Sequence, residues 1–90
     1  MGTAGVKIKI MPSSPSADLK KIEKQAEAVI TKNSGKNCRF EIEPIAFGLN
    51  ALIAIFAWPE EKELEELENK LGKIKEVNSV QTIDIRKTFG

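Results

Sequence analysis

The sequence holds no histidine and a single cysteine, Cys38, among its 90 residues. Neither an intramolecular disulfide nor a thiolate or imidazole metal cluster can be built from that inventory. The usual Ser and Cys catalytic arrangements are excluded as well, because they place an imidazole base beside the nucleophile. No apolar run approaches the roughly 20 residues that span a bilayer, and Met1 to Gly5 lack the basic start and long apolar stretch of a signal peptide. A cytoplasmic protein without membrane contact is expected. Met1-Gly2 opens like a myristoylation site, but Val6 stands where that motif requires Ser or Thr. Charge of either sign is not in excess: 14 basic residues face 13 acidic ones, a net +1. Whole-molecule attraction to phosphates is therefore weak, and nucleic-acid binding would need a local patch. No Gly-rich phosphate cradle precedes a helix, so the chain is not expected to bind a nucleotide directly, and no cofactor is called for.

What is present has a globular balance, with 41% hydrophobic and 30% charged residues, and residues 1–90 are read as a single domain. Val6, Ile8 and Ile10 alternate with Lys7 and Lys9 as a half-buried strand. Met11-Pro12-Ser13-Ser14-Pro15 then breaks the pattern, and Ser16 is read as the cap of a helix from about Ala17 to Lys32. Its apolar stripe is Leu19, Ile22, Ala26, Val29 and Ile30. Gly35 is expected to take the positive φ that ends this helix. Phe40 and Ile42 mark a second strand, which Pro44 assigns to a sheet edge. Leu49 to Ala57 reads as an inner strand, and Glu60, Glu61 and Glu63 load the start of a second helix whose stripe is Leu64, Leu67, Leu71 and Ile74. After a turn at Asn78-Ser79, Ile83 and Ile85 form a fourth strand, with Lys87-Thr88-Phe89-Gly90 left as a tail. The order strand, helix, strand, strand, helix, strand predicts an α+β, ferredoxin-like βαββαβ sandwich: two helices on one face of a four-stranded antiparallel sheet, with strands one and three central.

That fold hosts many functions, so function must be read from particular residues. Glu41 and Glu43 share one strand face, yet alternating charges on an edge strand ordinarily form its solvated side. A metal carrier of this fold needs a Cys-x-x-Cys pair where this chain has Met11-Pro12-Ser13-Ser14-Pro15. An RNA-recognition sheet stacks bases on aromatics of its central strands, and Val6 to Met11 contains none. Lys7, Lys9, Arg39, Arg86 and Lys87 are nevertheless candidates to gather on the open face, which keeps a single-stranded RNA or ribosome-associated binding module as the alternative reading. Nucleic acid is not the expected partner.

The connection between the second and third strands is unusual, because Pro44-Ile45-Ala46-Phe47-Gly48-Leu49 is apolar where a turn is ordinarily polar. Phe47 beside Gly48 either presents a ring on a tight backbone, as an anchor for a partner's pocket, or folds back as a core plug. From Pro44 to Leu52 the segment resembles the Pro-Ile-(Ala or Gly)-Phe-Gly-(Leu or Ile)-x-x-Leu signature of the exchange-domain family of elongation factor 1-beta. Met11-Pro12, Asp18-Leu19 and Val80-Gln81-Thr82-Ile83-Asp84-Ile85 resemble the family too, and the short length is similar to its archaeal members.

The resemblance implies a non-enzymatic activity: binding the GDP-loaded GTPase elongation factor 1-alpha, disturbing its magnesium and phosphate site, and so promoting exchange of GDP for GTP. It implies that Phe47 packs against the GTPase, with Pro44, Ile45 and Gly48 shaping its presentation. A monomer is expected, independently of the resemblance. Eukaryotic members end with a penultimate lysine at the magnesium site, whereas Gly90 falls at that place here. Arg86 and Lys87 are the nearest cations and the candidates for that role.

Overall fold

The computed structural model describes residues 2–88. The elements are β1 (Thr3–Pro12), α1 (Leu19–Lys32), β2 (Lys36–Pro44), β3 (Asn50–Pro59), α2 (Glu65–Gly72) and β4 (Val77–Thr88), with a 3-10 turn at Ala46–Gly48 between β2 and β3. The sheet order is β2-β3-β1-β4 and all neighbours are antiparallel, so β1 and β3 are central as the sequence predicts. The fold is ferredoxin-like α+β.

Period-two alternation decides the faces. Ala4, Val6, Ile8 and Ile10 of β1 and Leu52, Ala54, Phe56 and Trp58 of β3 point to one side, where Ile22, Ala26 and Ile30 of α1 and Leu67 and Leu71 of α2 complete a buried cluster. Fully burying each large aliphatic of that cluster contributes about 1.5–3 kcal/mol. Lys7, Lys9, Ile53 and Ile55 lie on the uncovered face. There Lys9 of β1 and Glu43 of β2 form a 3.7 Å ion pair. Because β3 lies between those strands, the pair spans Ala51 and Ile53, which are 0% and 7% exposed although no helix covers them.

Several local expectations are corrected. Asp18, not Ser16, caps α1, its carboxylate accepting the Lys21 N–H at 3.2 Å, and the helix begins at Leu19. The positive φ after α1 falls on Ser34 (φ 85), not on Gly35. Gly35 serves instead by close approach: its N–H donates to the Ile30 carbonyl at 2.8 Å, and a Cβ there would meet the Ile30 side chain at 2.3 Å. Glu60, Glu61 and Glu63 precede α2, whose first turn holds Glu65, Glu66 and Glu68. Asn78 and Ser79 are not a turn but part of β4, which pairs with β1 from Val77 opposite Pro12 to Thr88 opposite Thr3. Lys87 and Thr88 thus belong to a strand rather than a tail; Phe89 and Gly90 lie outside the described residues.

Candidate functional site

Phe47 stands 94% exposed, so it is not a core plug. Its backbone is left-handed (φ 63, ψ 32), a conformation that costs a residue with a Cβ about 1–2 kcal/mol. Gly48 follows at φ 75. Two successive positive φ values turn the chain sharply enough for the Ile45 N–H to donate to the Leu49 carbonyl at 2.7 Å and the Leu49 N–H to the Ala46 carbonyl at 3.3 Å. Below this knot, Pro44 of β2 pairs with Asn50 of β3 and clamps the base. Gly48 has open space around it, so its requirement is conformational rather than steric. Ile45 and Leu49 are half-buried at the base, whereas the ring of Phe47 is presented to solvent. The strained backbone is held in place by neighbouring hydrogen bonds, and no packing of the ring compensates for it.

Pro44, Ile45, Phe47 and Gly48 are therefore brought together, as the sequence reading groups them. Arg86 and Lys87 are not joined to them. Arg86 lies opposite Gly5 and Lys87 opposite Ala4, at the sheet end that holds Trp58, while the loop adjoins the end where Ile10 faces Leu52. At about 3.3 Å per residue, the run from Leu52 to Trp58 alone separates the two ends by about 20 Å. Arg86 is tied to Asp84 at 3.1 Å. Lys87 opposes the buried Ala4 and so projects toward the helix side, which removes it from the open-face cations Lys7, Lys9, Arg39 and Arg86.

The open face offers no stacking platform among the described residues. Phe56 is 2% exposed on the helix side, meeting Trp58 edge-on at 5.8 Å, and β3 presents Ala51, Ile53, Ile55 and Ala57 to the uncovered side. Glu41 and Glu43 are not an isolated carboxylate pair, since Glu43 is engaged by Lys9.

Cys38 of β2 packs partly against the core. Burial first, then the charges of Glu27 and Glu23, push its thiol up to about 11 from the ordinary 9.0. The folded protein thus keeps the thiol protonated where the unfolded chain ionises, so this group's contribution to stability is complete below pH 9 and is lost as pH rises from about 9 to about 11. Because only the thiolate is nucleophilic, alkylation of Cys38 by iodoacetamide at pH 8 is expected to be roughly 100-fold slower than that of an unfolded cysteine peptide. Equal rates in native and urea-unfolded protein would refute that assignment.

Two features escape reading from the sequence. One is a bulge in β4, where the register with β1 shifts between Lys7 and Ile8: Lys7 faces Asp84 and Ile8 faces Thr82, leaving Ile83 as the extra residue. Ile83 and Ile85 therefore do not share a face, and both are exposed, at 46% and 55%. The other is Ile42, 60% exposed beyond the reach of the helices although it pairs with the buried Leu52.

The profile of the EF-1 guanine nucleotide exchange domain matches residues 5–88. The chain is 37% identical over 86 residues to elongation factor 1-beta of Methanocaldococcus jannaschii, covering 94% of this chain and 97% of that protein. It is 38% identical to elongation factor 1-beta of Nanoarchaeum equitans, covering 87% and 93% respectively. To that of Methanosarcina acetivorans it is 38% identical, covering 93% and 96%.

Proposed function

The chain belongs to the EF-1 guanine nucleotide exchange domain family, and we propose that it promotes the exchange of GDP for GTP on elongation factor 1-alpha, with the Phe47 loop as its anchor on that GTPase. The observation that carries the reading is the left-handed, 94% exposed Phe47 inside the segment that matches the family signature. Exchange makes and breaks no bond in this account. The factor binds the GTPase better without nucleotide than with it, and by linkage nucleotide weakens the factor's hold to the same degree. The complex is accordingly transient, and GTP ends it.

The loop is already shaped for this. Its hydrogen bonds fix the turn before any partner arrives, so the ring enters a pocket without the ordering cost that a flexible loop would carry. The test is release of a fluorescent GDP analogue from the cognate elongation factor 1-alpha with and without this protein. Acceleration at sub-stoichiometric factor is the expected result, and release that is unchanged with both proteins folded would remove the proposal.

Lys87 is the candidate for action on the magnesium site. Of the two cations, Arg86 is engaged by Asp84, while Lys87 is exposed and has no ion pair among the described residues. A cation that replaces part of the metal's charge acts after binding, so Lys87→Ala is expected to lower the maximal release rate more than it raises the factor concentration giving half of it. Identical maximal rates for wild type and variant would assign that role elsewhere.

A further inference from the structure

The edge strand β2 carries side chains and backbone groups that the fold leaves unused. Ile42 is 60% exposed, and its cross-strand neighbour Leu52 is buried, so Ile42 stands on the helix side without a helix to cover it. Arg39 and Glu41, on the opposite face, have no ion pair among the described residues, whereas Glu43 is engaged by Lys9. The Ile45 N–H donates to the Leu49 carbonyl at 2.7 Å, and successive residues of an antiparallel strand direct their backbone groups alternately to either side. Glu43, Glu41 and Arg39 therefore direct theirs to β3, while Ile42 and Phe40 turn N–H and C=O outward from the sheet. Pro44 falls in the outward set, where its missing N–H takes nothing from the ladder with β3.

Edge strands are ordinarily blunted against the addition of another strand. In β2 the blunting sits at the ends: the register with β3 shifts between Lys36 and Arg39, and Pro44 closes the other end, so residues 39–43 form a regular stretch. Charges on that stretch oppose most self-pairings and favour one. When two copies pair antiparallel about a two-fold axis, an axis at Arg39, Glu41 or Glu43 sets a charge against itself, and an axis at Ile42 sets Glu41 against Glu43. An axis at Phe40 instead sets Arg39 of each copy against Glu41 of the other. The same register puts Ile42 opposite Cys38 and Phe40 opposite itself, so the exposed aliphatic gains an apolar neighbour and the outward backbone groups of Phe40 meet those of its mate. The other edge, β4, offers less: its bulge interrupts the strand at Ile83, and Arg86 is already paired with Asp84 within the chain.

We propose that this protein self-associates through β2, antiparallel and about an axis at Phe40, so that two four-stranded sheets join into one. A second copy is selected because the complementarity lies within the strand itself: the run Arg39-Phe40-Glu41 supplies both sides of the contact. Exposed ion pairs add little affinity, so the charges set the register while backbone hydrogen bonds and the apolar row Cys38, Phe40 and Ile42 hold the copies together. A contact of one strand is small beside the interface of a permanent dimer, so the association depends on concentration, a departure from the monomer expected from the sequence. It does not rest on the exchange reading. Pro44 lies four residues from the axis, which places the two Pro44 residues roughly 26 Å apart along the pairing and leaves the Phe47 loops free at opposite ends.

The experiment is analytical ultracentrifugation of the full chain from about 10 µM to about 1 mM, the range in which a weak contact populates both states. The apparent mass of wild type is expected to rise with concentration from 9.9 kDa toward twice that value. Glu41→Arg and Arg39→Glu each set like charges opposite one another at two places and are expected to weaken association about tenfold, with thermal unfolding unchanged because both positions are exposed. An equimolar mixture of the two variants restores opposite charges at both places, so association is expected to return, as it is in the double variant Arg39→Glu/Glu41→Arg. The double variant carries the charge test should either single swap fold poorly. Register is read separately: Ile42→Cys, oxidised in air with copper phenanthroline, is expected to give a disulfide-linked dimer through Cys38, and Ile42→Cys/Cys38→Ser is expected to give none. A cross-link that persists without Cys38 would set Ile42 against itself and refute the register. A mass that stays at 9.9 kDa to about 1 mM overturns the proposal. So does association that both charge swaps leave intact and Ile85→Arg abolishes, since the contact would then belong to β4, and so does a loss in the single swaps that neither the mixture nor the double variant recovers.

Discussion

Phe47→Ala is expected to weaken factor-dependent GDP release about 30-fold at sub-saturating factor, the equivalent of about 2 kcal/mol for a central aromatic anchor. Thermal stability should not fall with it. The ring is 94% exposed, so truncation leaves no cavity and no unpaired group. Phe47→Gly sharpens the result. At φ 63 and ψ 32 glycine relieves the left-handed strain, while its greater freedom in the unfolded chain offsets part of that gain. The net expectation is an unchanged or higher melting temperature, up to about 1 kcal/mol of stabilisation, with exchange as weak as in Phe47→Ala. A protein that becomes no less stable when an aromatic residue this exposed is removed retains that residue for something other than folding. Differential scanning calorimetry beside the release assay decides the matter: a drop of many degrees in melting temperature with release unaltered would return Phe47 to a structural role.

The fold was legible because its elements follow hydrophobic periodicity. Val6, Ile8 and Ile10, and the stripe of Ile22, Ala26 and Ile30, face the core as their spacing requires. Pro44 does end an edge strand, and the inner position of β3 follows from its apolar run. What periodicity could not reveal are places where tertiary pairing overrides local preference. β4 continues through Asn78 and Ser79 because β1 offers hydrogen-bond partners as far as Pro12, and composition alone does not report a partner strand. The bulge at Ile83 is invisible for the same reason: one inserted residue reverses every facing on one side of it, and the sequence Thr82-Ile83-Asp84-Ile85 still reads as clean alternation. Ser34 takes the left-handed turn that a glycine suits better, because Gly35 is needed one position later, where its missing Cβ lets it lie against Ile30. In the site, the apolar turn was legible, and the exposure of Phe47 was one of two readings until the backbone fixed it. The separation of Arg86 and Lys87 from the loop required the register of three strands.

That separation bears on the second large effect, expected at Trp58. Trp58 and Phe47 flank β3 at opposite ends and have opposite standing in the fold. Trp58 is 3% exposed, packs edge-on against Phe56, and donates its indole N–H to the Lys62 carbonyl at 3.1 Å. The Lys62 ammonium lies 5.4 Å from the ring centroid and donates to the Asn33 carbonyl at 2.8 Å, so the indole organises the connection between β3 and α2 and, through it, the end of α1. Trp58→Ala should therefore lose both a large buried ring and the anchor of that connection, costing about 3–5 kcal/mol. For a domain of this size total stability is of order 5–13 kcal/mol, so much of it goes, and the melting temperature is expected to fall by at least about 12 °C. Trp58→Phe keeps most of the buried area and loses the indole bond, which predicts a smaller cost of about 1–3 kcal/mol. Because the Phe47 loop is clamped at the far end by its own hydrogen bonds and by the pairing of Pro44 with Asn50, exchange measured well below the melting temperature should stay close to wild type in Trp58→Phe. Equal stability losses for Trp58→Ala and Phe47→Ala would contradict this division between a structural and a recognition end of the strand, and so would a Trp58→Phe variant that is fully folded yet inactive in exchange.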